Sequence, residues 1–298
     1  MSDPFDLNNT NAYAAWRNAK LTDYPMSVEA ITLAVADPSR PSAEEISRLQ
    51  KICSKTNTVI YRSETQNRPD RNIPISLGVH LGLSRPDKSL TTDDDGVTEL
   101  RLADNGPRCA YIPYSDRFMG WHTDGCYRDQ THRVHGFLLH CARPALDGGE
   151  SFLLDPDIAY ILLRDENPDY IAGLMKPDAL TIPANIKDGT VVRPEYTGPV
   201  FSIDLNNGCL HMRYTARKKF VTWQDDSGVQ EALQYLETLL AGSSPYIFRA
   251  RLQAGWGVVG NNVLHGRTAF TDGKTEDQRR LIYRIYFLDR INHREHAA

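Results

Sequence analysis

From about residue 107 onward, short apolar runs alternate with turns that are rich in glycine and asparagine. The runs at 135–141 and 151–155 lie on either side of Gly148-Gly149, which predicts a turn between two strands. The Asn206–Gly208 turn separates two further runs, and Asn-Gly tolerates the positive φ angles that a tight hairpin needs. Many short strands with a few helices predict a mainly β fold, namely a double-stranded β-helix (jelly roll) core flanked by α-helices.

The sequence shows fewer helical patterns than strand patterns. Ser42 and Glu45 form a capping box, which predicts the start of a helix whose apolar residues follow at helical spacing. Further helices are predicted from Pro156 to Glu166 and from about Ser227 to Gly242. Because no composition shift marks a boundary, the sequence predicts one domain over residues 1–298. Three segments of this domain are set apart: an N-terminal extension at about 1–40, a surface loop or lid at 84–96, and an insertion within the barrel at 156–200.

Composition excludes several classes of protein. The chain has 34 lysines and arginines against 38 aspartates and glutamates, so its net charge of −4 predicts no broad surface for nucleic acid or anionic lipid. No apolar run reaches the roughly 18 residues of a membrane span, and the N-terminus lacks the pattern of a secretory signal. Five widely spaced cysteines without a Cys-x-x-Cys pattern indicate reduced thiols and a cytoplasmic location. The expected partner is a small-molecule substrate, with neither nucleic acid nor membrane.

Two of the nine histidines begin a His-x-acid pattern, His122-Thr-Asp124 and His293-Arg-Glu295. On a β-strand, residues i and i+2 point to the same face, so His122 and Asp124 present an imidazole and a carboxylate side by side. A third histidine would complete the two-histidine, one-carboxylate face that holds Fe(II) in non-haem oxygenases. The alternative for His122 and Asp124 is an ordinary hydrogen-bonded pair. His293 and Glu295 lie in a polar tail, where solvated charge is expected.

Further candidates come from the last part of the chain. His265 lies on a strand-like run late enough in the sequence to come from the opposite end of a barrel. Period-two alternation places Arg280 and Arg284 on one face of the last strand-like run. Burying an arginine on an apolar strand costs free energy unless its charge is paired with an anion. A guanidinium binds a carboxylate through two hydrogen bonds. By contrast, we expect Arg213 and Arg217 to pair with surface carboxylates.

Four motifs follow one another along the chain: Trp121-His-Thr-Asp, Gly148-Gly-Glu-Ser, Val263-Leu-His-Gly-Arg-Thr-Ala-Phe and Gln278-Arg-Arg-Leu-Ile-Tyr-Arg. In these motifs and in their order, the chain resembles the taurine dioxygenase and γ-butyrobetaine hydroxylase family. The resemblance extends over roughly residues 40 to 288. Members of that family are Fe(II)- and 2-oxoglutarate-dependent oxygenases with a jelly-roll core. The combined set of motifs is specific, whereas each motif alone is not.

The resemblance implies a ligand set and a co-substrate. His122, Asp124 and His265 would be the metal and catalytic residues that hold Fe(II), and 2-oxoglutarate and O2 would be the co-substrates. Arg280 would hold the distal carboxylate of 2-oxoglutarate. Ser151 matches the position where the family often carries a threonine that touches the same carboxylate. Arg279 is a one-residue alignment alternative to Arg280, although alternation places it on the other face of the strand.

Three residues are candidates for contacts with the prime substrate. Arg284 matches the position that contacts the sulfonate in taurine dioxygenase, with a structural ion pair inside the barrel as the alternative. His80 lies in a segment that often borders the substrate in the family, and Tyr127 either lines the pocket or packs. The resemblance thus implies a small polar substrate that is anionic or amino-acid-like, and it implies a homo-oligomer.

The function predicted is hydroxylation of an unactivated C–H bond, coupled to conversion of 2-oxoglutarate to succinate and CO2. Asp124 argues against halogenation, because halogenating members of the family carry a small residue at this position. Desaturation or ring closure at the same iron site stays open as an alternative. Two other classes also remain: a zinc hydrolase that uses the same three ligands, and a non-catalytic jelly-roll binding module.

Overall fold

A computed structural model describes residues 3–64, 69–87, 93–104 and 106–291. The predicted tail pattern at His293 and Glu295, and residues 88–92 of the predicted lid, lie outside these ranges. The chain groups into two compact units. The first consists of Met1–Tyr24, Trp121–Arg133 and Leu154–Ile247, and the second of Pro25–Gly120, Val134–Leu153 and Phe248–Ala298. The single domain over 1–298 stays a prediction.

Helices are a minor part of the described residues. The α-helices are Thr10–Leu21 (α1), Ala43–Thr56 (α2), Asn72–His80 (α3), Pro156–Glu166 (α4), Pro168–Leu174 (α5) and Ser227–Ala241 (α6). The three helices that the sequence predicts are therefore present as α2, α4 and α6. None of the helices in the described ranges is both long and apolar enough to cross a membrane.

Most of the remaining regular structure consists of short strands. They are Thr32–Ala34 (β1), Thr58–Arg62 (β2), Thr98–Leu100 (β3), Met119–His122 (β4), Gly136–Arg143 (β5), Asp147–Gly148 (β6), Ser151–Leu154 (β7), Leu180–Ile182 (β8), Asn185–Lys187 (β9), Thr190–Arg193 (β10), Tyr196–Gly198 (β11), Phe201–Ile203 (β12), Leu210–Met212 (β13), Thr222–Trp223 (β14), Phe248–Ala250 (β15), Gly257–Gly260 (β16), Leu264–Arg267 (β17), Phe270–Thr271 (β18) and Leu281–Phe287 (β19). The fold is mainly β, as predicted.

The larger sheet belongs to the second unit and has the order β1-β2-β16-β5-β19-β3. Only its β1–β2 pair is parallel, and the other pairs are antiparallel. Alternate residues of β19, from Leu281 to Phe287, pack into an apolar core with Leu49 and Cys53 of α2 and Leu77 of α3. The capping box that begins α2 is formed, because Glu45 N donates to Ser42 Oγ (3.2 Å) and Ser42 N donates to Glu45 Oε2 (2.7 Å).

A second sheet has the order β15-β7-β17-β4 and carries the histidines of interest. The two sheets are linked through Gly148-Gly149, because β5 and β7 belong to different sheets. Both glycines have positive φ, and a Cβ on Gly148 would lie 2.3 Å from the carbonyl oxygen of Ala269. The predicted turn is therefore present, and glycine is required there because β18 approaches the backbone closely.

In the first unit, short sheets accompany helices α1, α4, α5 and α6. Lys20 of α1 forms buried ion pairs with Asp155 (2.7 Å) and Asp157 (2.8 Å) at the start of α4. The predicted hairpin around Asn206–Gly208 is present as β12 and β13, with Ile203 opposite Leu210. Its strands are shorter than predicted, because Asp204 accepts hydrogen bonds within a six-residue loop that replaces a tight turn.

Candidate active site

Two adjacent strands of the second sheet carry the candidate ligands. His122 is the last residue of β4, and His265 lies in β17, the neighbour of β4 in the sheet. Beyond β4 the backbone remains paired, since Thr123 N donates to Tyr214 O (2.9 Å) and Tyr214 N donates to Thr123 Oγ1 (3.0 Å). The extended chain thus continues to Thr123, and Asp124 lies at the start of the turn that follows.

The structure brings together the three side chains that the sequence predicts as metal ligands. One ligand atom each from His122, Asp124 and His265 lies within 4.8 Å of the others. His122 Nε2 is 3.7 Å from Asp124 Oδ1, while Asp124 and His265 are buried. Two imidazoles and one carboxylate are a donor set that suits Fe(II), so the residues present fit the metal that the family implies.

The tautomer of His265 is fixed by its surroundings. Its Nδ1 lies 2.9 Å from the carbonyl oxygen of Val263, and because a carbonyl only accepts, Nδ1 carries the proton and donates. The ring also stacks on Phe137, with centroids 5.0 Å apart. A histidine that donates through Nδ1 can coordinate a metal through Nε2, and a hydrogen bond of this kind is how proteins orient a ligating histidine.

Arg280 and Ser151 line the same small pocket, together with Gly149 and Ile282. Burial lowers the pKa of Arg280 to about 10, so the guanidinium is still charged at neutral pH. In the described part of the chain, no carboxylate lies within 4.0 Å of this guanidinium, which instead sits over the ring of Phe270 at 5.2 Å. A buried cation of this kind is suited to an external carboxylate.

Arg279 has a different environment from its neighbour Arg280. It pairs with Asp104 at 2.7 Å and is partly exposed, so it is Arg280 that lines the pocket. Arg284 is buried within β19, and its guanidinium lies 4.2 Å from the ring centroid of Tyr286. The alternation predicted for this strand is present, since Arg280 and Ile282 line the pocket while Leu281 and Tyr283 enter the apolar core.

The structure does not bring His80 together with the three ligands. His80 is an exposed residue at the end of α3, and its Nδ1 lies 2.8 Å from the Ser76 carbonyl of the same helix. Tyr127 is more than a third exposed and contacts Arg193, whose guanidinium carbon lies 5.2 Å from the ring centroid. The roles of His80, Tyr127 and Arg284 at the substrate remain predictions.

The expectation for Arg213 is wrong. Arg213 is buried and donates to the backbone carbonyls of Leu180, Tyr196, Gly198 and Pro199 rather than to a surface carboxylate. Backbone carbonyl oxygens satisfy the guanidinium, and nothing in the local sequence signals these long-range contacts.

Sequence reasoning also missed Arg267. Its guanidinium is buried and donates to the carbonyls of Ser115 and Arg117, both at 3.0 Å, and so ties β17 to the segment that leads into β4. Burial lowers its pKa to about 9, with Arg280 nearby acting in the same direction. The signal was available, because Arg267 is an arginine in an apolar strand-like run, as Arg280 is.

Comparison with known proteins agrees with this geometry. Residues 40–286, well over half of the chain, match the family described as Taurine catabolism dioxygenase TauD, TfdA family. A uridine-5'-phosphate dioxygenase from Amycolatopsis sp. is 34% identical over 173 residues, which cover 56% of this chain and 60% of the relative. A protein of the same name from Streptomyces sp. is 30% identical over 210 residues, covering 64% and 70%. The chain thus spans less than two thirds of the first relative.

Solved structures share the fold at low sequence identity. An asparagine oxygenase solved with Fe(II), 3-hydroxyasparagine and succinate superposes with a TM-score of 0.60 at 15% identity, over 82% of this chain and 78% of that one. The non-heme iron oxygenase OrfP gives a TM-score of 0.62 at 15% identity, over 84% and 82%. A taurine dioxygenase from Burkholderia xenovorans gives 0.56 at 16% identity, over 86% and 87%. The chain therefore has the jelly-roll fold of these oxygenases and belongs to the TauD, TfdA family of taurine catabolism dioxygenases.

Proposed function

We propose that this chain is an Fe(II)- and 2-oxoglutarate-dependent dioxygenase that hydroxylates an unactivated C–H bond of a small anionic substrate. 2-Oxoglutarate would be converted to succinate and CO2 in the same cycle. The observation that carries the proposal is the convergence of His122, Asp124 and His265 within 4.8 Å of one another. Membership of a dioxygenase family over residues 40–286 supports the same activity.

In this proposal, His122, Asp124 and His265 would hold the iron. The bound metal and 2-oxoglutarate supply the oxidising chemistry, as cofactors do in general, and the protein supplies binding and orientation. The Val263 carbonyl keeps the proton of His265 on Nδ1, so His265 would coordinate the metal through Nε2. A set of two histidines and one carboxylate would leave coordination positions for small molecules.

Arg280 and Ser151 would bind the distal carboxylate of 2-oxoglutarate. Their side chains line one pocket, and the buried Arg280 has no carboxylate partner among the described residues. A guanidinium that has lost its water gains most from a bidentate carboxylate, and the Ser151 hydroxyl can add one further hydrogen bond.

The substrate is proposed as a small molecule that bears an acid group. Relatives named uridine-5'-phosphate dioxygenase make uridine 5'-phosphate the first compound to test, and an amino acid is the second. Desaturation or ring closure at the same site would consume the same co-substrates and is distinguished by the product. We further propose a cytoplasmic location, in keeping with five free cysteines, and a homo-oligomeric state.

The test is to add Fe(II) and 2-oxoglutarate to the protein without oxygen and to record the visible charge-transfer band of the chelate. We expect a band in the wild type and its loss in His265→Ala. Admitting O2 with candidate substrates should then give succinate above the rate without substrate. A folded protein that shows no band would overturn the proposal, and activity with Zn(II) in the absence of O2 would indicate the hydrolase instead.

A further inference from the structure

Asp272, a residue of the second unit, contacts the strand that carries Arg280 and has no part in the chemistry described so far. Its Oδ1 accepts a hydrogen bond from the backbone N of Arg280 (2.9 Å). Its Oδ2 is buried, and no group in the described ranges donates to it. A buried carboxylate oxygen without a donor costs free energy, so an acid at this position needs an explanation other than packing.

The start of β19 is the part of that strand whose register the sheet fixes least. From Ile282 onward, β19 pairs with β5 one residue for one, whereas Leu281 lies opposite Arg143 and is one residue out of this register. A bulge of this kind interrupts the hydrogen-bonded ladder immediately after Arg280. Because successive side chains of a strand point to opposite faces, a shift of one residue here would exchange the directions of Arg279 and Arg280.

Asp272 joins the start of β19 to a strand whose position is already set. It directly follows β18, which pairs with β6 in antiparallel fashion. The loop between β18 and β19 is closed on itself, because Gly273 N donates to Gln278 O (3.1 Å), and a Cβ on Gly273 would lie 2.3 Å from the Cβ of Gln278. The hydrogen bond from Asp272 to Arg280 N therefore ties the bulged end of β19 to a compact loop.

Two acids contact the two neighbouring arginines in different ways. Asp104 pairs with the guanidinium of Arg279 at 2.7 Å. Asp272 instead accepts from the backbone of Arg280, whose guanidinium lies over the ring of Phe270 (5.2 Å) and lines the pocket. Asp272 thus holds this arginine without occupying the group that would bind a carboxylate.

We propose that Asp272 is a positioning residue that fixes the register at the start of β19, so that Arg280 rather than Arg279 reaches the co-substrate pocket. The inference rests on the proposed function, in which Arg280 binds the distal carboxylate of 2-oxoglutarate. Asp272 acts through the backbone of Arg280 and does not touch the co-substrate. Without this hydrogen bond, a smaller fraction of molecules would hold the guanidinium in place, and the apparent affinity for 2-oxoglutarate would fall by that fraction.

The experiment titrates 2-oxoglutarate into the Fe(II) protein without oxygen and follows the charge-transfer band. We expect Asp272→Ala to raise the Kd of 2-oxoglutarate about tenfold, the effect of one charge-assisted hydrogen bond, while calorimetry with Fe(II) alone shows an unchanged affinity for the metal. Asp272→Asn should stay within about twofold of the wild type, because an amide oxygen also accepts from Arg280 N. Asp277→Ala, an exposed acid of the same loop, is the matched control and should bind both ligands normally.

A double-mutant cycle separates positioning from an independent contribution to the pocket. If Asp272 acts through Arg280, Asp272→Ala should add almost nothing to the loss of 2-oxoglutarate binding in Arg280→Ala. Asp272→Ser, whose side chain is shorter than that of aspartate, should show the same loss as Asp272→Ala. It takes the place of the alanine variant if melting temperatures show that the alanine variant is not folded.

The outcomes separate this inference from the proposed function. It is overturned alone if Arg280→Ala loses 2-oxoglutarate binding while Asp272→Ala and Asp272→Ser keep the wild-type Kd. It is also overturned if the two single losses add in the double variant, if Asp272→Asn loses as much as Asp272→Ala, or if the affinity for Fe(II) falls by the same factor. Normal 2-oxoglutarate binding in Arg280→Ala, or no band in the wild type, defeats the proposed function and this inference with it.

Discussion

At the scale of single residues, burial decides which of two neighbouring arginines can bind a ligand. Arg280 lines a pocket without a carboxylate partner in the described ranges, whereas Arg279 points to Asp104 and forms an ion pair at 2.7 Å. Removal of Arg280 would leave an incoming carboxylate without its charged partner. Removal of Arg279 would break a partly exposed ion pair, which contributes little stability.

We therefore expect Arg280→Ala to weaken 2-oxoglutarate binding about tenfold or more while iron binding changes much less, because charge-assisted hydrogen bonds contribute roughly 1.5–3 kcal/mol. Titration of the anaerobic charge-transfer band measures the first quantity, and calorimetry with Fe(II) alone measures the second. Arg279→Ala is the matched control and should bind both ligands normally. Equal losses of both ligands in Arg280→Ala would contradict the assigned role.

His140 is a second residue whose chemistry follows from burial. Its ring lies between Tyr61 and Tyr283, and its Nδ1 is 2.8 Å from the Tyr61 hydroxyl, so it is a core histidine. Desolvation lowers its pKa from 6.5 to about 4. The unfolded chain therefore binds more protons than the folded chain between those two values, and the stability that His140 contributes is lost as pH falls through this window.

The expected result is a fall in the free energy of unfolding between pH 6.5 and 4 that is steeper in the wild type than in His140→Gln. The difference between the two proteins should be on the order of 3 kcal/mol across this window, from about 1.4 kcal/mol per unit of pKa. Urea unfolding at several pH values measures it. Parallel pH profiles for the two proteins would show that His140 is not the group responsible.

At the scale of elements, the second sheet depends on close approach at Gly266, the residue after His265. A Cβ at this position would lie 2.2 Å from a ring carbon of Phe152 and 2.6 Å from the carbonyl oxygen of Met119 in β4. Arg267, the next residue, then donates to the carbonyls of Ser115 and Arg117. Glycine and arginine together fix β17 against its neighbour, and thereby fix the position of His265.

Gly266→Ala should consequently destabilise the protein by about 1–3 kcal/mol, as overpacking does in a dense core, and should also weaken iron binding by shifting His265. Thermal unfolding and Fe(II) calorimetry measure the two effects. Gly228→Ala at the start of α6 is the control, since the nearest atom to its new Cβ would be a side-chain oxygen of Asp226 at 3.3 Å. Normal iron affinity in Gly266→Ala would show that the sheet tolerates the shift.

Helix α2 gives an element-scale prediction that is independent of the active site. The capping box of Ser42 and Glu45 satisfies two backbone N–H groups at its N-terminus. Ser42→Ala should cost about 1 kcal/mol of stability, the usual value for a lost cap, with no change in iron or 2-oxoglutarate binding. Chemical denaturation measures the loss, with Ser54→Ala near the other end of the same helix for comparison. A loss of iron affinity in Ser42→Ala would contradict this separation.

At the scale of the whole molecule, iron binding should be linked to folding, because the ligands come from distant parts of the sequence. Fe(II) at 100 times its dissociation constant should stabilise the folded chain by about 2.7 kcal/mol, and His265→Ala should abolish the effect. If the chain is one domain, as predicted, anaerobic calorimetry should show a single transition that moves to higher temperature with Fe(II). Two transitions, only one of which responds to the metal, would contradict the one-domain prediction.

How far the sequence predicts this molecule depends on the range of the interactions involved. Periodicity and turn chemistry act over a few residues, so the mainly β fold, the capped helix α2 and the alternation along β19 follow from the order of the amino acids alone. The hairpin predicted around Asn206–Gly208 lies at the predicted place. Its strands are shorter than predicted, because Asp204 accepts hydrogen bonds from residues of the loop.

The sequence by itself determined the residue types and the local pattern of the site: a histidine and an aspartate two positions apart, a later histidine, and arginines on an apolar strand. Only the tertiary structure decided that His265 joins His122 and Asp124, that Arg280 rather than Arg279 lines the pocket, and that Arg213 is satisfied by backbone carbonyls. These contacts join residues that are far apart in the chain. Their distances are set by the order of strands in the sheet and by burial, and the local sequence encodes neither of these two properties.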